Sequence, residues 1–242
     1  MSCDTVIRQH DNIHAYMYVK TDQDPPRAAG EGSARRLTQA ERSARTRGAL
    51  LESAARGLSR HGYGNLILGE VASEAGYTRG ALYHQFKDKE DLALAVIDWV
   101  DETWQQEVGR LMEQESDPLA ALIAMARGHA IYCRRDVARV AIALRLEFSG
   151  QDHPVARRLE RVYAGLVKRC IRLIGEGRKA GSIPAGPPPK AVALALIGAL
   201  EGTIIQLAGQ APHDELLAAR AAAGVLGVGA AAASLASLGG TR

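Results

Sequence analysis

Tyr77, Thr78, Arg79, Gly80, Ala81, Leu82, Tyr83 and His84 run without interruption and supply groups suited to a nucleic acid. A guanidinium such as that of Arg79 donates two parallel hydrogen bonds to N7 and O6 of guanine. Tyr77 offers apolar contact to a thymine methyl, Gly80 lets backbone come close, and Ala81 touches a base without steric cost. Thr78, Tyr83 and His84 carry polar tips that suit phosphate oxygens, the contacts that fix register rather than read sequence. A packed corner aromatic is the alternative for Tyr83. Lys89 stands at the start of a helix, where orphan amides already favour an anion. Arg45 and Arg47, read as the beginning of an earlier helix, are placed to grip the backbone.

These groups need a rigid frame. Residues 69–92 read as two short helices joined at a tight corner, with a third helix following at once. Val71 and Ala72 face inward on the first, and Gly76 falls where a left-handed cap is required. Thr78 caps the second helix, which is barely two turns long. Leu82 and Phe86, four apart, are its buried side, so Arg79, Gly80, Ala81, Tyr83 and His84 look outward. A short helix with a packed back and a basic, phenolic front suits the major groove, which admits one helix.

The charge distribution agrees. The net charge of +3 over 242 residues announces nothing, but Arg35, Arg36, Arg42, Arg45, Arg47, Arg56 and Arg60 face only Glu41 and Glu52. Such a stretch is a footprint for phosphate attraction or a solvated helix face. With 47% hydrophobic and 24% charged residues the chain can bury a core. Cys3, Cys133 and Cys170 are too dispersed for a disulfide framework or a zinc cluster. The first residues carry Asp4, Arg8, Asp11 and Lys20 and no apolar core, so no secretory signal is read and cytoplasm is expected.

Four segments follow: a flexible arm over 1–40, a helix-turn-helix domain over 41–90, a helical ligand-binding and dimerisation domain over 91–227, and a disordered tail over 228–242. His10 and His14 share a helical face within the arm and could bind a metal. Apolar periodicity places helices over 44–60, from 88 through Leu111, from Pro118 towards Tyr132, over 137–148, from Pro154 to Gly181, over 190–210 and over 212–226. Residues 190–210 are apolar enough to raise a membrane span. Glu201 and Gln206 interrupt them, which favours a helix buried in protein, with Ala195, Gly198 and Gly202 permitting close approach. No strand alternation appears, so the expected fold is all-α.

Val71-Ala72, Ala75 through Gly80, Leu82-Tyr83, Phe86 and Lys89 through Leu92 together resemble the helix-turn-helix of TetR-family transcriptional regulators, in order and without a gap. The resemblance covers roughly residues 44–100 and is architectural beyond them. It implies three short N-terminal helices, a connecting fourth, and a larger helical domain that binds a small-molecule effector. The last two helices would pair with their copies in a homodimer; burial within one monomer is the alternative. The dimer would read a near-palindromic DNA operator whose half-sites lie about one helical turn apart, and effector binding would tilt the helix beginning at Asp88. Repression is the family's usual mode and activation the alternative. One departure stands out: Asn65-Leu-Ile-Leu-Gly69 is apolar where the family places a hydroxyl cap, leaving Asn65 to cap instead.

Effector candidates are residues that break an apolar face or add aromatic surface: Trp104, His129, Tyr132, Arg145, Glu147, Phe148 and Tyr163. Arg145 and Glu147 lie two apart and face different ways. Cys133 precedes Arg134 and Arg135, which would lower its pKa towards a redox role, a buried inert thiol being the alternative. His129, Glu147 and His153 have no metal-ligand spacing, and neither a metal nor a cofactor is expected. No phosphate loop or nucleophile elbow is found, which argues against an enzyme. A helical enzyme with a scattered active site and an architectural DNA-binding protein remain as rivals.

Overall fold

A capping box opens the first helix. In the computed structural model, which describes residues 38–229, the Thr38 hydroxyl accepts from Glu41 N at 3.2 Å. The Glu41 carboxylate accepts from Thr38 N at 2.7 Å, so two orphan amides are satisfied reciprocally. Helix α1 therefore spans Gln39–His61, starting earlier than apolar periodicity suggested, and Arg45 and Arg47 lie inside it. The readings made for the arm before residue 38, including Cys3, His10, His14, Arg35 and Arg36, fall outside the described residues. So does the tail from 230.

Helices α2, Leu68–Glu74, and α3, Arg79–Gln85, form the corner. Gly76 between them has φ +78°, in the left-handed region where glycine carries no steric cost. Helix α4, Lys89–Trp104, is capped by Asp88, which accepts from Asp91 N at 2.9 Å. It continues through a π turn, Gln105–Gly109, into α5, Arg110–Glu113. The π turn advances the register by one, so Met112 is buried and Leu111, the expected end of the stripe, is 37% exposed.

Helix α6 spans Pro118–Tyr132. A 3-10 turn, Asp136–Arg139, leads into α7, Val140–Glu147. The 27-residue α8, Pro154–Ala180, ends at Gly181 with φ 83°. Helices α9, Pro189–Leu207, and α10, His213–Val225, complete an all-α fold with no strand among the described residues.

Two apolar cores result. One joins α1 to α4 with α7 and the first turns of α8, through Leu50, Leu58, Leu82, Phe86, Val96, Leu144 and Leu159. The other joins α6, the far half of α8, α9 and α10. The first core thus runs well past residue 90. Helix α9 is long and apolar enough to cross a membrane by length and composition. One of its faces packs on α8 and α10 through Val192, Leu196 and Leu200, while Leu194 and Ile205 on the other face are 50% and 61% exposed.

Candidate nucleic-acid interface and effector cavity

On α3 the back and front separate cleanly. Leu82 and Phe86 are buried in the first core. Arg79, Gly80, Tyr83 and His84 are exposed, and Ala81 and Tyr77 are half-buried. Thr78 accepts from Ala81 N at 3.2 Å, so its hydroxyl oxygen is engaged as the helix cap. Arg79 donates to the Tyr83 hydroxyl at 3.2 Å and lies over its ring. The two exposed side chains therefore support each other across one turn. A Cβ at Gly80 would make only ordinary contact with Thr78 at 3.8 Å; packing does not require glycine there.

Four cations named from the sequence have partners inside the protein. Arg47 donates to the Gln85 carbonyl at 3.2 Å and covers the Phe86 ring, bracing the C-terminal end of α3. Lys89 donates to the Gly64 carbonyl at 2.9 Å and lies over Tyr63. Arg56 bridges Glu52 and Glu74. Arg60 pairs with Asp136 at 3.0 Å. Arg42 and Arg45 are exposed, with no ion pair among the described residues. Asn65 does not cap α2: its amide donates to the His61 carbonyl, and Ile67, at the cap position, supplies no side-chain bond.

The turn before α2 is held from the end of α7. The Glu147 carboxylate accepts from Tyr63 N at 2.6 Å and Gly64 N at 2.8 Å. Gly62, at φ 75°, leaves room, since a Cβ there would sit 2.7 Å from a Glu147 oxygen. Phe148 stacks on His153 and meets Tyr63 edge-on beside this carboxylate. Neither Glu147 nor Phe148 lines the apolar cavity between α4, α6, α7, α8 and α9. Sequence spacing gave no signal for the clamp, because its partners are backbone amides far along the chain.

An apolar cavity of about 90 Å³ lies between α4, α6, α7, α8 and α9. Trp104, His129, Tyr132 and Tyr163 line it; Arg145 stands at its margin, over the Tyr163 ring and paired with the lining residue Glu201 at 2.9 Å. Trp104 Nε1 donates to His129 Nδ1 at 3.0 Å. Burial pushes the His129 pKa down to about 4. Tyr132 donates to the Val100 carbonyl at 3.1 Å and shares a bond with Thr103 at 2.7 Å. Its pKa is pushed up to about 12, chiefly by burial.

Sequence reading missed Asp101 and Glu201 as lining groups, although Glu201 stood out as the carboxylate in an apolar run. Cys133 is buried and its thiol is pushed up to about 12 by desolvation. Its arginine neighbours turn elsewhere, Arg134 to Asp214 at 2.8 Å and Arg135 to Glu107 at 2.9 Å. The inert thiol is the reading that fits. His129, Glu147 and His153 are not brought together, and no metal-like cluster occurs among the described residues.

Comparison with known proteins adds four findings. A family model described as bacterial regulatory proteins, tetR family, matches residues 50–96. The HTH-type transcriptional repressor BepR of Brucella suis biovar 1 (strain 1330) is 30% identical over 155 residues, 61% of this chain and 73% of that protein. The A-factor receptor protein of Streptomyces griseus is 26% identical over 178 residues, 72% of this chain but 59% of that protein, under two thirds of its length. Among solved structures, AibR in complex with isovaleryl coenzyme A and operator DNA superposes with a TM-score of 0.60 at 18% identity. That match covers 74% of this chain and 96% of AibR and speaks to fold alone.

Proposed function

The chain belongs to the TetR family of transcriptional regulators, with a DNA-binding helix-turn-helix, and from that premise we propose that it is a homodimeric repressor released from a palindromic operator by a small molecule. The observation that carries the reading is α3: a buried back of Leu82 and Phe86 behind an exposed front of Arg79, Gly80, Tyr83 and His84. Arg79, Tyr77 and Ala81 read base edges. Thr78, Tyr83, His84 and Arg45 meet phosphates, and Gly80 admits the backbone. Arg47 and Lys89 each spend one donor on a backbone carbonyl, holding α3 and the Gly64 turn, and keep further N–H donors for phosphate.

The homodimer forms through α9 and α10, whose outward faces expose Leu194, Ile205, Leu216 and Leu217. The effector enters the cavity between α4 and α9. At about 90 Å³ this cavity is smaller than the roughly 300–1,000 Å³ of common ligand sites, so the surrounding helices part on binding. That movement is what α4 passes to the reading heads, and it requires unequal effector affinity for the two states. AibR is described with both operator DNA and an acyl thioester, which supports one fold performing both tasks. In this reading residues 41–90 form the DNA-binding domain and 91–227 the effector domain, the protein works in the cytoplasm, and it has no enzymatic activity. Activation is the second reading.

Selection from a random duplex pool tests the proposal. One enriched palindrome is the expected outcome, and transcription from a promoter bearing it should fall when the protein is added. Recovery of no preferred sequence sinks the regulator proposal; a rise in transcription selects the activator.

A further inference from the structure

The cavity is chemically biased. Its walls are chiefly aliphatic, with Ile97, Val100, Leu159, Val162, Leu166 and Leu200 among them. Its two carboxylates face arginines: Glu201 meets Arg145 at 2.9 Å and Asp101 meets Arg158 at 3.6 Å. Arg145 is further committed to the Tyr163 ring, 4.1 Å from its centroid. An anion entering this space finds no unpaired cation among the described residues, and an ammonium finds Glu201 paired with Arg145 and Asp101 sharing Arg158 with Asp98. Either would leave water without a counter-charge, which is costly in an apolar site.

One polar group is set apart. Because Trp104 Nε1 donates to His129 Nδ1, that nitrogen must carry a lone pair, and the neutral ring holds its proton on Nε2. Among the described residues Nε2 meets the Cys133 sulfur at 4.0 Å, a weak partner. Tyr132 is already committed to Val100 and Thr103. His129 thus presents a donor whose direction and protonation are fixed by Trp104.

We propose that the cavity takes an uncharged, mainly apolar small molecule bearing a carbonyl-type acceptor, which accepts the hydrogen bond of His129 Nε2. The inference rests on the reading of this cavity as the effector site. It selects among ligands by charge first, through the paired carboxylates, and by one hydrogen bond second.

Three eight-carbon probes separate the possibilities: methyl octanoate, octanoate and octylammonium, titrated at pH 7.5 below their micellar concentrations. Trp104 fluorescence in a Trp99→Phe background of the full chain reports occupancy. The ester should bind about tenfold or more tightly than either charged probe. His129→Leu should weaken the ester about fivefold, the worth of one neutral hydrogen bond. His129→Gln, which keeps both an acceptor for Trp104 and a donor for the ester, should restore it to within about twofold. Equal or tighter binding of a charged probe, absence of quenching by the ester, or identical affinities in the Leu and Gln variants would overturn the proposal. Release of the selected operator is measured separately. An ester that binds but leaves the operator bound defeats the effector reading alone, whereas a charged probe that binds best and releases it defeats the ligand class alone.

Discussion

Arg79 and His129 show what a single side chain contributes here. Arg79 stands exposed in the first turn of α3 with Tyr83 as its partner among the described residues, so removing it leaves no buried group unpaired there. Arg79→Ala should leave thermal stability unchanged, weaken specific operator binding by about 1–3 kcal/mol and relax preference at one base pair. Titration of the selected duplex and its single-base variants measures this, and unchanged affinity removes Arg79 from the readout. His129 behaves oppositely, because its environment resists charge. Its folded pKa, about 4, lies below the unfolded value near 6.5. Its stabilising contribution is therefore complete above pH 6.5 and is lost as pH falls through 4, by up to about 3 kcal/mol. His129→Gln should flatten stability against pH over that window in denaturant unfolding; an unaltered slope would place the acid sensitivity elsewhere. Both residues were legible in the sequence, Arg79 by its place beside a helix cap and His129 as a break in an apolar face. The Trp104 bond that fixes the proton of His129 was not, since it joins residues on different helices.

Helix α7 links the cavity to the turn ahead of the reading unit. Ala141 and Ile142 line the cavity, Arg145 pairs with Glu201, and Glu147 holds the Tyr63 and Gly64 amides. One short helix therefore touches both ends of the proposed signal. Glu147→Ala should cost about 2 kcal/mol, since two charge-assisted bonds are lost but the freed amides can reach water. Hydrogen exchange should quicken selectively at Tyr63 and Gly64, and uniform exchange across the domain would deny Glu147 a local role. Periodicity located α7 and nearly every other helix, because an amphipathic stripe is a property of neighbouring residues. It placed the start of α1 late, because Thr38 and Glu41 signal by hydrogen bonding rather than by apolar content. It missed the π turn, whose extra residue moves burial from Leu111 to Met112. Arg47 and Lys89 were read as cations that meet phosphate, but spacing gave no sign of the carbonyls that hold them.

At the scale of the whole molecule, the proposed dimer makes the outward face of α9 and α10 decide whether one reading head or two meets DNA. Leu194, Ile205, Leu216 and Leu217 are 50%, 61%, 45% and 42% exposed, large apolar side chains on the two helices assigned to the proposed dimer contact. A Cβ at Gly198 or Gly202 would meet nothing within 4 Å. Neither glycine is demanded by packing within the chain, and both leave the helix surface low enough for a second helix to settle against it. Gly198→Leu discriminates for that reason. Within one chain the new side chain enters open space, and helix propensity improves by about 1 kcal/mol, so each subunit stays folded. Between two copies the same side chain would force the helices apart. Sedimentation velocity should show a dimer for the unaltered protein and a monomer for Gly198→Leu, with circular dichroism unchanged. Operator affinity should fall towards that of one head, because half of the phosphate contacts and the fixed spacing of about 34–36 Å disappear together. A variant that stays dimeric would move the subunit contact off this face. An unaltered protein that is already monomeric yet binds the full palindrome would remove the geometric basis for release, since a ligand cannot change the separation of heads that are not joined.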